Sequence, residues 1–358
     1  MRAALLVEAG APPSIENVTP LDPGPRDVVV RITASGVCHS DLSLINGSFG
    51  SVGTQILGHE GAGVVEAVGQ AVSRVAVGDR VIGSIFPACG DCFYCLHDES
   101  HLCTSWLAAS AVARAVRDDG SEVPAYLGLG TFAEAMTVSE SSVVRVETDL
   151  PDPELALIGC GVTTGVCAAL NTAAVQPGSI VVVVGCGGVG QSIVQGARIA
   201  GAAQIIAIDP VQLKRESALA LGATDTINPT AEDPVKAVKA RTGRRGADYA
   251  FEVIGRAETI RQVVAMVRSG GTAVVVGLPA FDRDIPIPPN AFLRGKRILG
   301  CTYGSAQVRR DFPRMVDLVE RSRLDLGSMV SRTIRLEDVN AAFEAMQQGE
   351  VIRSIIVP

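Results

Sequence analysis

Two hydrophobic patterns divide the chain. Up to about residue 150, short Val/Ile-rich runs alternate with glycine turns, as in "DVVVRITASGV" (27–37), "GAGVVEAVG" (61–69) and "GDRVIGSIF" (78–86). Closely spaced runs of this kind predict an all-β or barrel-like module. The period changes near residue 155. "PELALIGCGVTTGVCAALNTA" (153–173) predicts a helix, an interruption at Gly-Cys-Gly, and a second helix. "SIVVVVGCGGVGQSIVQGARIAGAAQIIAIDP" (179–210) predicts strand, glycine turn, helix and strand, and segments 213–228, 246–255, 259–279 and 297–304 extend the series. Continuous apolar strands alternating with helices predict a parallel sheet covered on both faces. After about 303, the polar helical stretch "RRDFPRMVDLVERSRL" leads to a closing run, "IRSIIVP". The expected fold class is α/β, a β-rich domain joined to a doubly wound parallel sheet. The expected boundaries are 1–161, 162–302, and a C-terminal return to the first domain over 303–358.

Composition narrows the partners. The 358 residues suffice for about two domains, and 47% are hydrophobic, enough for a sizeable core. A net charge of -7 without a Lys/Arg block argues against nucleic acid. The N-terminal "MRAALLVEAGAPPS" is too short in its apolar part for a signal peptide, and the apolar run 180–184 is too short for a membrane span. A soluble cytoplasmic protein is expected. Nine cysteines in that setting point to thiols and metal rather than disulfides.

The run "GCGGVG" fits G-x-G-x-x-G through Gly185, Gly187 and Gly190. The hexamer alone is weak evidence. Here an apolar strand precedes it, an amphipathic helix follows, and Asp209 closes the next strand 24 positions after Gly185. Gly185 permits the tight turn, Gly187 lets backbone approach a pyrophosphate, and Gly190 lets the helix lie against the strand. The helix N-terminus offers unpaired N–H groups to phosphate. Asp209 is placed to accept hydrogen bonds from both ribose hydroxyls and to repel a 2'-phosphate, which favours NAD over NADP; capping the next helix is its alternative role. Lys214 is a candidate contact on the ribose side, or else a solvated helix lysine.

Two sets of metal-ligand residues differ in character. Cys89, Cys92, Cys95 and Cys103 are spaced C-x2-C-x2-C-x7-C in "CGDCFYCLHDESHLC". Four thiolates suit a tetrahedral zinc; an iron–sulfur cluster also takes four cysteines. Zinc with four thiolates carries a formal charge of -2 and has no free position, so that site is structural. His97 and His101 within the lobe read as solvated. The second set is scattered: Cys38 in "GVCHSDL", His59 and Glu60 in "GHEGAGVVEAVG", and Cys160 in "GCGVTTG". Two thiolates, one imidazole and an open position leave zinc formally neutral, able to acidify an alcohol or polarise a carbonyl. The three ligands stand 21 and 101 positions apart, so spacing proves nothing, and a lone His59 is as readily a core histidine.

These motifs, with "FEVIGR" and "IRSIIVP", occur in the order found in zinc-containing medium-chain alcohol dehydrogenases, which the chain resembles over essentially its whole length. The resemblance is to the branch with a second cysteine as third ligand. That branch includes the liver-type, the thiol-dependent formaldehyde and the bacterial aryl or terpene alcohol dehydrogenases. It implies a GroES-like catalytic domain, a Rossmann domain, NAD, and two zinc ions per chain. Cys38, His59 and Cys160 resemble the catalytic zinc ligands, and Glu60 the glutamate that approaches the metal during ligand exchange. Asp41 resembles the carboxylate that orients the ligating histidine, and Ser40 the hydroxyl that takes the alcohol proton. Gly188, Val189, Thr164, Arg256, Val276 and Arg353 resemble cofactor contacts, with Arg353 near the pyrophosphate; surface ion pairs are the alternative for both arginines. Two positions depart from the pattern. His39 stands where many relatives have an arginine against the pyrophosphate. Ser43 stands where liver-type enzymes place the histidine that ends the proton relay, so His39, a water chain or the cofactor ribose is left to finish it.

By resemblance, Ile85, Phe86, Trp106, Tyr126 and Leu127 wall a substrate pocket expected between the domains, and the aromatic pair Trp106 and Tyr126 hints at an aromatic or bulky apolar alcohol. The expected activity is reversible NAD-dependent oxidation of a primary alcohol to an aldehyde by a homodimer or homotetramer, with no membrane or nucleic-acid partner. The first rival is a dehydrogenase of S-(hydroxymethyl)mycothiol or S-(hydroxymethyl)glutathione, with Arg114 or Arg117 as the anion-binding patch. The others are a non-catalytic nucleotide-binding regulatory protein and, less supported, a zinc-lobe nucleic-acid binder.

Overall fold

The computed structural model describes residues 1–48, 53–278 and 284–358; Pro279, which ends the segment 259–279 read above as helix and strand, lies outside them. The chain forms two units. The first comprises Met1–Cys160, Gln307–Ser322 and Leu326–Pro358, and the second Gly161–Ala306 and Arg323–Asp325.

The strand Asp27–Gly36 is the spine of the first unit. It pairs antiparallel with Gly61–Val68, Ala135–Ser139 and the last strand, Arg353–Ile356. Val28, Val30 and Ile32 alternate inward along it and pack with Val65, Val81 and Met136. Alternation of this kind marks a strand with one face in a core. The pairing of Arg353–Ile356 with the spine returns the end of the chain to the segment that leads into Cys38. The helix His39–Ile45 starts where the spine stops, and the Asp41 carboxylate accepts the Cys38 backbone N–H at 3.2 Å. Leu42, Leu44 and Ile45 then bury the helix's inner face.

The second unit holds a six-stranded, wholly parallel sheet. Its order is Asp225–Ile227, Gln204–Ile208, Ile180–Val184, Ala247–Glu252, Val267–Val275, Arg297–Gly300. That is the 3-2-1-4-5-6 order of a doubly wound dinucleotide fold. Val181, Val182 and Val183 are wholly buried, each contributing about 1.5–3 kcal/mol of hydrophobic stabilisation. Helix Gly188–Ile199 lays Ile193, Val194 and Ala197 on this sheet.

The expected break at Gly159-Cys160-Gly161 is not a break. Residues 152–172 run on as one helical stretch in which Ile158–Val162 and Ala168–Thr172 adopt the wider π turn. A π turn takes up a residue without interrupting the helix, and such turns gather at functional sites. Glycine propensity argues for an interruption, but burial of Leu155, Leu157, Val162 and Val166 outweighs it. Residues 152–172 are also the one helical stretch among the described residues long and apolar enough to cross a membrane, and most of it is buried within the protein.

Candidate functional site

The first unit brings Cys38, His59, Glu60 and Cys160 together, with one donor atom from each lying within 4.8 Å of the others. Each comes from a different local cause. Cys38 caps the helix His39–Ile45, His59 and Glu60 precede the strand Gly61–Val68, and Cys160 sits in the π turn. All four are buried. The Asp41 carboxylate stands 3.0 Å from His59 Nδ1 and also accepts the Gly58 N–H at 3.2 Å. In the neutral ring a proton on Nδ1 leaves Nε2 as a lone-pair donor, and His59 Nε2 is a buried atom without a hydrogen-bond partner among the described residues. Burial alone would lower the His59 pKa, but the Asp41 carboxylate and the Cys38 thiolate hold it well above the ordinary histidine value. The Cys160 sulfur holds Cys38 well below the usual thiol range, against burial and with His59 and Arg353 assisting; Cys160 is pushed up in turn. An ionised thiolate, a second sulfur and an imidazole whose Nε2 proton a metal can displace fit a thiophilic cation such as zinc.

Glu60 is fully buried against Arg353, with a charge-assisted contact between Oε2 and Nη2. Burial pushes the Glu60 pKa up to about 7, while Arg353 works the other way. Gly36 makes room for this pair, since a Cβ there would stand 2.2 Å from Glu60 Oε2 and 2.8 Å from Arg353 Nη2. Arg353 thus reaches the metal-ligand cluster through Nη2, while its buried Nε has no hydrogen-bond partner among the described residues. Ser40 Oγ lies 3.8 Å from Cys38 Sγ. His39 is exposed at the start of its helix, and Ser43 is half-buried on the same helix.

Four further thiols form a separate group on the same unit. Cys89 Sγ stands 3.9 Å from Cys95 Sγ and 3.6 Å from Cys103 Sγ, and Cys92 completes the set. Ligands about 2.3 Å from a tetrahedral centre stand about 3.8 Å apart, so these sulfurs fit four corners around one zinc. Backbone N–H groups of Asp91 and Cys92 draw the Cys89 pKa down to about 6, while burial pushes Cys95 up to about 12. The two histidines of the lobe stand apart from this cluster. His97 stacks on Phe93 with ring centroids 4.1 Å apart, and His101, expected in solvent, is half-buried.

In the second unit, Gly185 follows the strand Ile180–Val184 at φ +95°, a conformation that favours glycine. A Cβ on Gly190 would meet the Gly185 carbonyl oxygen at 1.9 Å, whereas one on Gly187 would meet no protein atom within 4 Å. The turn is closed where helix meets strand and open where a pyrophosphate would lie, so it fits a dinucleotide. Gly188, Val189 and Gly190 begin the helix. Asp209 is nearly buried; its carboxylate accepts the Cys186 and Val211 N–H groups, each at 2.9 Å. It therefore joins the glycine turn to the next helix and keeps lone pairs for a further donor. Lys214 is half-buried on that helix. Val276 follows the strand Val267–Val275, so Gly185, Asp209 and Val276 share the C-terminal edge of the sheet. Arg256 caps the helix Ala257–Met266 in an exposed position, and Thr164 is half-buried in Thr163–Cys167.

Residues 24–148 match the alcohol dehydrogenase GroES-like domain and residues 188–321 the zinc-binding dehydrogenase domain. The chain is 37% identical to an S-(hydroxymethyl)glutathione dehydrogenase of Synechocystis sp., over 99% of both chains. The chain belongs to the zinc-binding alcohol dehydrogenase family. Solved structures agree. A zinc-binding-domain alcohol dehydrogenase protein from Burkholderia ambifaria superposes with a TM-score of 0.95 at 34% identity, covering 100% of this chain and 98% of that one. Benzyl alcohol dehydrogenase from Acinetobacter calcoaceticus does so at 0.93 and 31%, covering 99% and 98%.

As a zinc-binding alcohol dehydrogenase the protein is an oxidoreductase that uses zinc and a nicotinamide dinucleotide on small alcohols or aldehydes. The expected wall residues divide. Tyr126 meets the His59 ring edge-on at 5.4 Å, and its hydroxyl donates to the Ser40 carbonyl at 3.3 Å. Phe86 and Trp106 meet edge-on at 6.2 Å. Leu127 packs on the apolar core that contains Tyr126, and Ile85 on the other apolar core of the first unit. Arg114 pairs with Asp27 at 3.0 Å and Arg117 with Glu16 at 2.9 Å, so both are already neutralised. Sequence reading missed Gly36 and the Tyr126–Ser40 hydrogen bond. The glycine two positions before Cys38 in "GVC" was the available signal for the first.

Proposed function

We propose that the protein catalyses reversible, NAD-dependent oxidation of a primary alcohol with an aromatic or bulky apolar side to the aldehyde. The observation that carries this reading is the buried group of Cys38, His59 and Cys160, with His59 Nε2 lacking a hydrogen-bond partner among the described residues. These three residues would hold a catalytic zinc, and Cys89, Cys92, Cys95 and Cys103 a structural one. When bound, the catalytic zinc supplies Lewis acidity to the alcohol oxygen, and NAD accepts the hydride. The protein's own groups do the rest. Asp41 fixes the His59 tautomer, and Ser40 Oγ receives the alcohol proton. The Tyr126 hydroxyl holds the Ser40 backbone, and His39 or solvent takes the proton onward, since Ser43 replaces the usual terminal histidine. Glu60, held by Arg353, would offer a further oxygen donor beside the metal. The charge of Asp209 selects NAD by repelling a 2'-phosphate, while Gly185, Gly187, Gly188, Val189, Gly190, Lys214, Thr164, Arg256 and Val276 hold the cofactor.

Phe86, Trp106 and Tyr126 favour an apolar substrate, and the likeness to a benzyl alcohol dehydrogenase supports the same reading. The glutathione-adduct relative supports a second reading, but the pairing of Arg114 and Arg117 withdraws the cations expected to meet such an adduct. Turnover of benzylic, terpenoid and aliphatic alcohols, and of formaldehyde with and without glutathione or mycothiol, separates the two. A thiol requirement would replace the first reading with the second. We also propose a homodimer or homotetramer, to be checked by light scattering. The decisive variant is Cys160→Ala, which should abolish turnover with NAD binding retained; full turnover would refute the assignment.

A further inference from the structure

The second unit carries a cavity of about 700 Å³ that the dehydrogenase reaction does not use. Its charged lining is entirely cationic. Arg268 is already paired with Asp248 at 2.6 Å and Arg245 acts on the same carboxylate, whereas Lys239, Arg244, Arg261, Arg294 and Lys296 have no ion-pair partner among the described residues. These cations are dispersed over the end of one helix, the turn after it, the next helix and the segment before the last sheet strand, so no run of sequence announces them. Bringing them together in a protein of net charge -7 sets like charges against each other. The repulsion is visible at Lys296, a half-buried ammonium whose pKa is lowered by burial and by Lys239 and Arg294. Its Nζ is held in place by the Val264 carbonyl at 2.6 Å. Arg244 also keeps a left-handed backbone, φ +65°, in the turn that presents it, a conformation costly for a side chain that large.

The cavity is distinct from the dinucleotide turn. Arg245 precedes the strand Ala247–Glu252, Arg268 lies at the start of Val267–Val275, and Lys296 precedes Arg297–Gly300. These are the N-terminal ends of parallel strands, whereas Gly185 follows the C-terminal end of Ile180–Val184. We propose that this cavity binds a small polyanion, a metabolite carrying a di- or triphosphate group. Guanidinium forks converging from several elements suit tetrahedral phosphates. The concavity suits a compact ligand, and the protein's net negative charge disfavours an extended nucleic acid.

The test is calorimetric titration of the intact, NAD-saturated enzyme with inorganic triphosphate at fixed ionic strength, beside Arg245→Glu/Arg261→Glu. Saturable binding of one triphosphate per chain is expected, weakened about tenfold or more in the variant, with NAD affinity and melting temperature unchanged. The milder Lys239→Gln/Arg294→Gln serves if the charge reversal impairs folding. Equal affinity in a folded variant, absence of saturable binding, or binding of an oligonucleotide but not triphosphate would overturn the proposal.

Discussion

The two thiol clusters of the first unit use the same chemistry in opposite ways. Cys89, Cys92, Cys95 and Cys103 lie within fifteen residues, on a lobe where Cys89 is exposed and only Cys103 is buried. Cys38, His59 and Cys160 are scattered along the chain and all buried, with Asp41, Glu60 and Arg353 around them. A local cluster closes through its own loop and can saturate one ion with four sulfurs. A scattered cluster closes only when the whole unit folds, and it uses three ligands. On the proposed roles, thiolate count would set the charge, formally -2 for zinc in the first and zero in the second, so that only the neutral, incomplete site could take a substrate oxygen. The conspicuous motif is the less reactive one.

Parallel removal of one sulfur from each cluster breaks this comparison most forcefully. Cys160→Ala should lower kcat/KM by about 10³-fold or more, the scale of losing a Lewis acid worth several kcal/mol, with Tm little changed. Cys92→Ala should lower Tm and the zinc content by about one ion per chain, with kcat retained in the folded fraction. Metal analysis beside steady-state rates checks both. If Cys92→Ala were the more damaging to kcat, the assignment of roles would be reversed.

A weaker perturbation leaves every ligand in place. Asp41→Asn keeps the shape but replaces a carboxylate that faces His59 Nδ1 at 3.0 Å. Zinc affinity or activity should fall about 10- to 100-fold, and chelator competition should show the loss at the buried site alone. Tyr126→Phe removes only the 3.3 Å hydrogen bond to the Ser40 carbonyl. Losing one such bond, worth about 1 kcal/mol, should reduce kcat about fivefold, with zinc content unchanged.

Local features of this molecule were the legible ones. The glycine turn and the four-cysteine lobe each lie within a short window, and their physics is backbone clearance and ligand count. The parallel sheet follows from runs such as Ile180–Val184, which only a strand buried on both faces tolerates. Cys38, His59 and Cys160 became readable as a set only through resemblance, because nothing in spacings of 21 and 101 places three side chains together. The Glu60–Arg353 pair depends on the last strand returning beside Gly36, a long-range pairing without a local signal. The helix through Cys160 misled, since two glycines imply a break that tertiary burial overrode. The cationic cavity was invisible because each of several elements contributes only one or two of its charges.

Comparing the two clusters under acid requires separating metal loss from unfolding, since protons compete with metal at every thiolate and imidazole. Glu140 supplies that control in the same unit. It is buried, belongs to neither ligand set, and its carboxylate accepts Ser73 N–H at 2.9 Å, Arg74 N–H at 3.1 Å and Arg26 Nη1 at 3.1 Å. Burial opposes its ionisation, but these donors outweigh burial and hold its pKa below the ordinary glutamate value. A depressed carboxylate pKa means that the unfolded chain binds the proton more readily. The stabilisation is therefore present above the unfolded pKa of about 4.3 and is lost as pH falls through the lower folded value. Glu140→Gln should cost about 1–2 kcal/mol at neutral pH and flatten the acid limb of the stability curve below pH about 4.5. Denaturant unfolding at pH 3.5–7, run beside zinc release, checks this. An acid limb as steep in the variant as in the parent would place the acid sensitivity in the metal clusters instead.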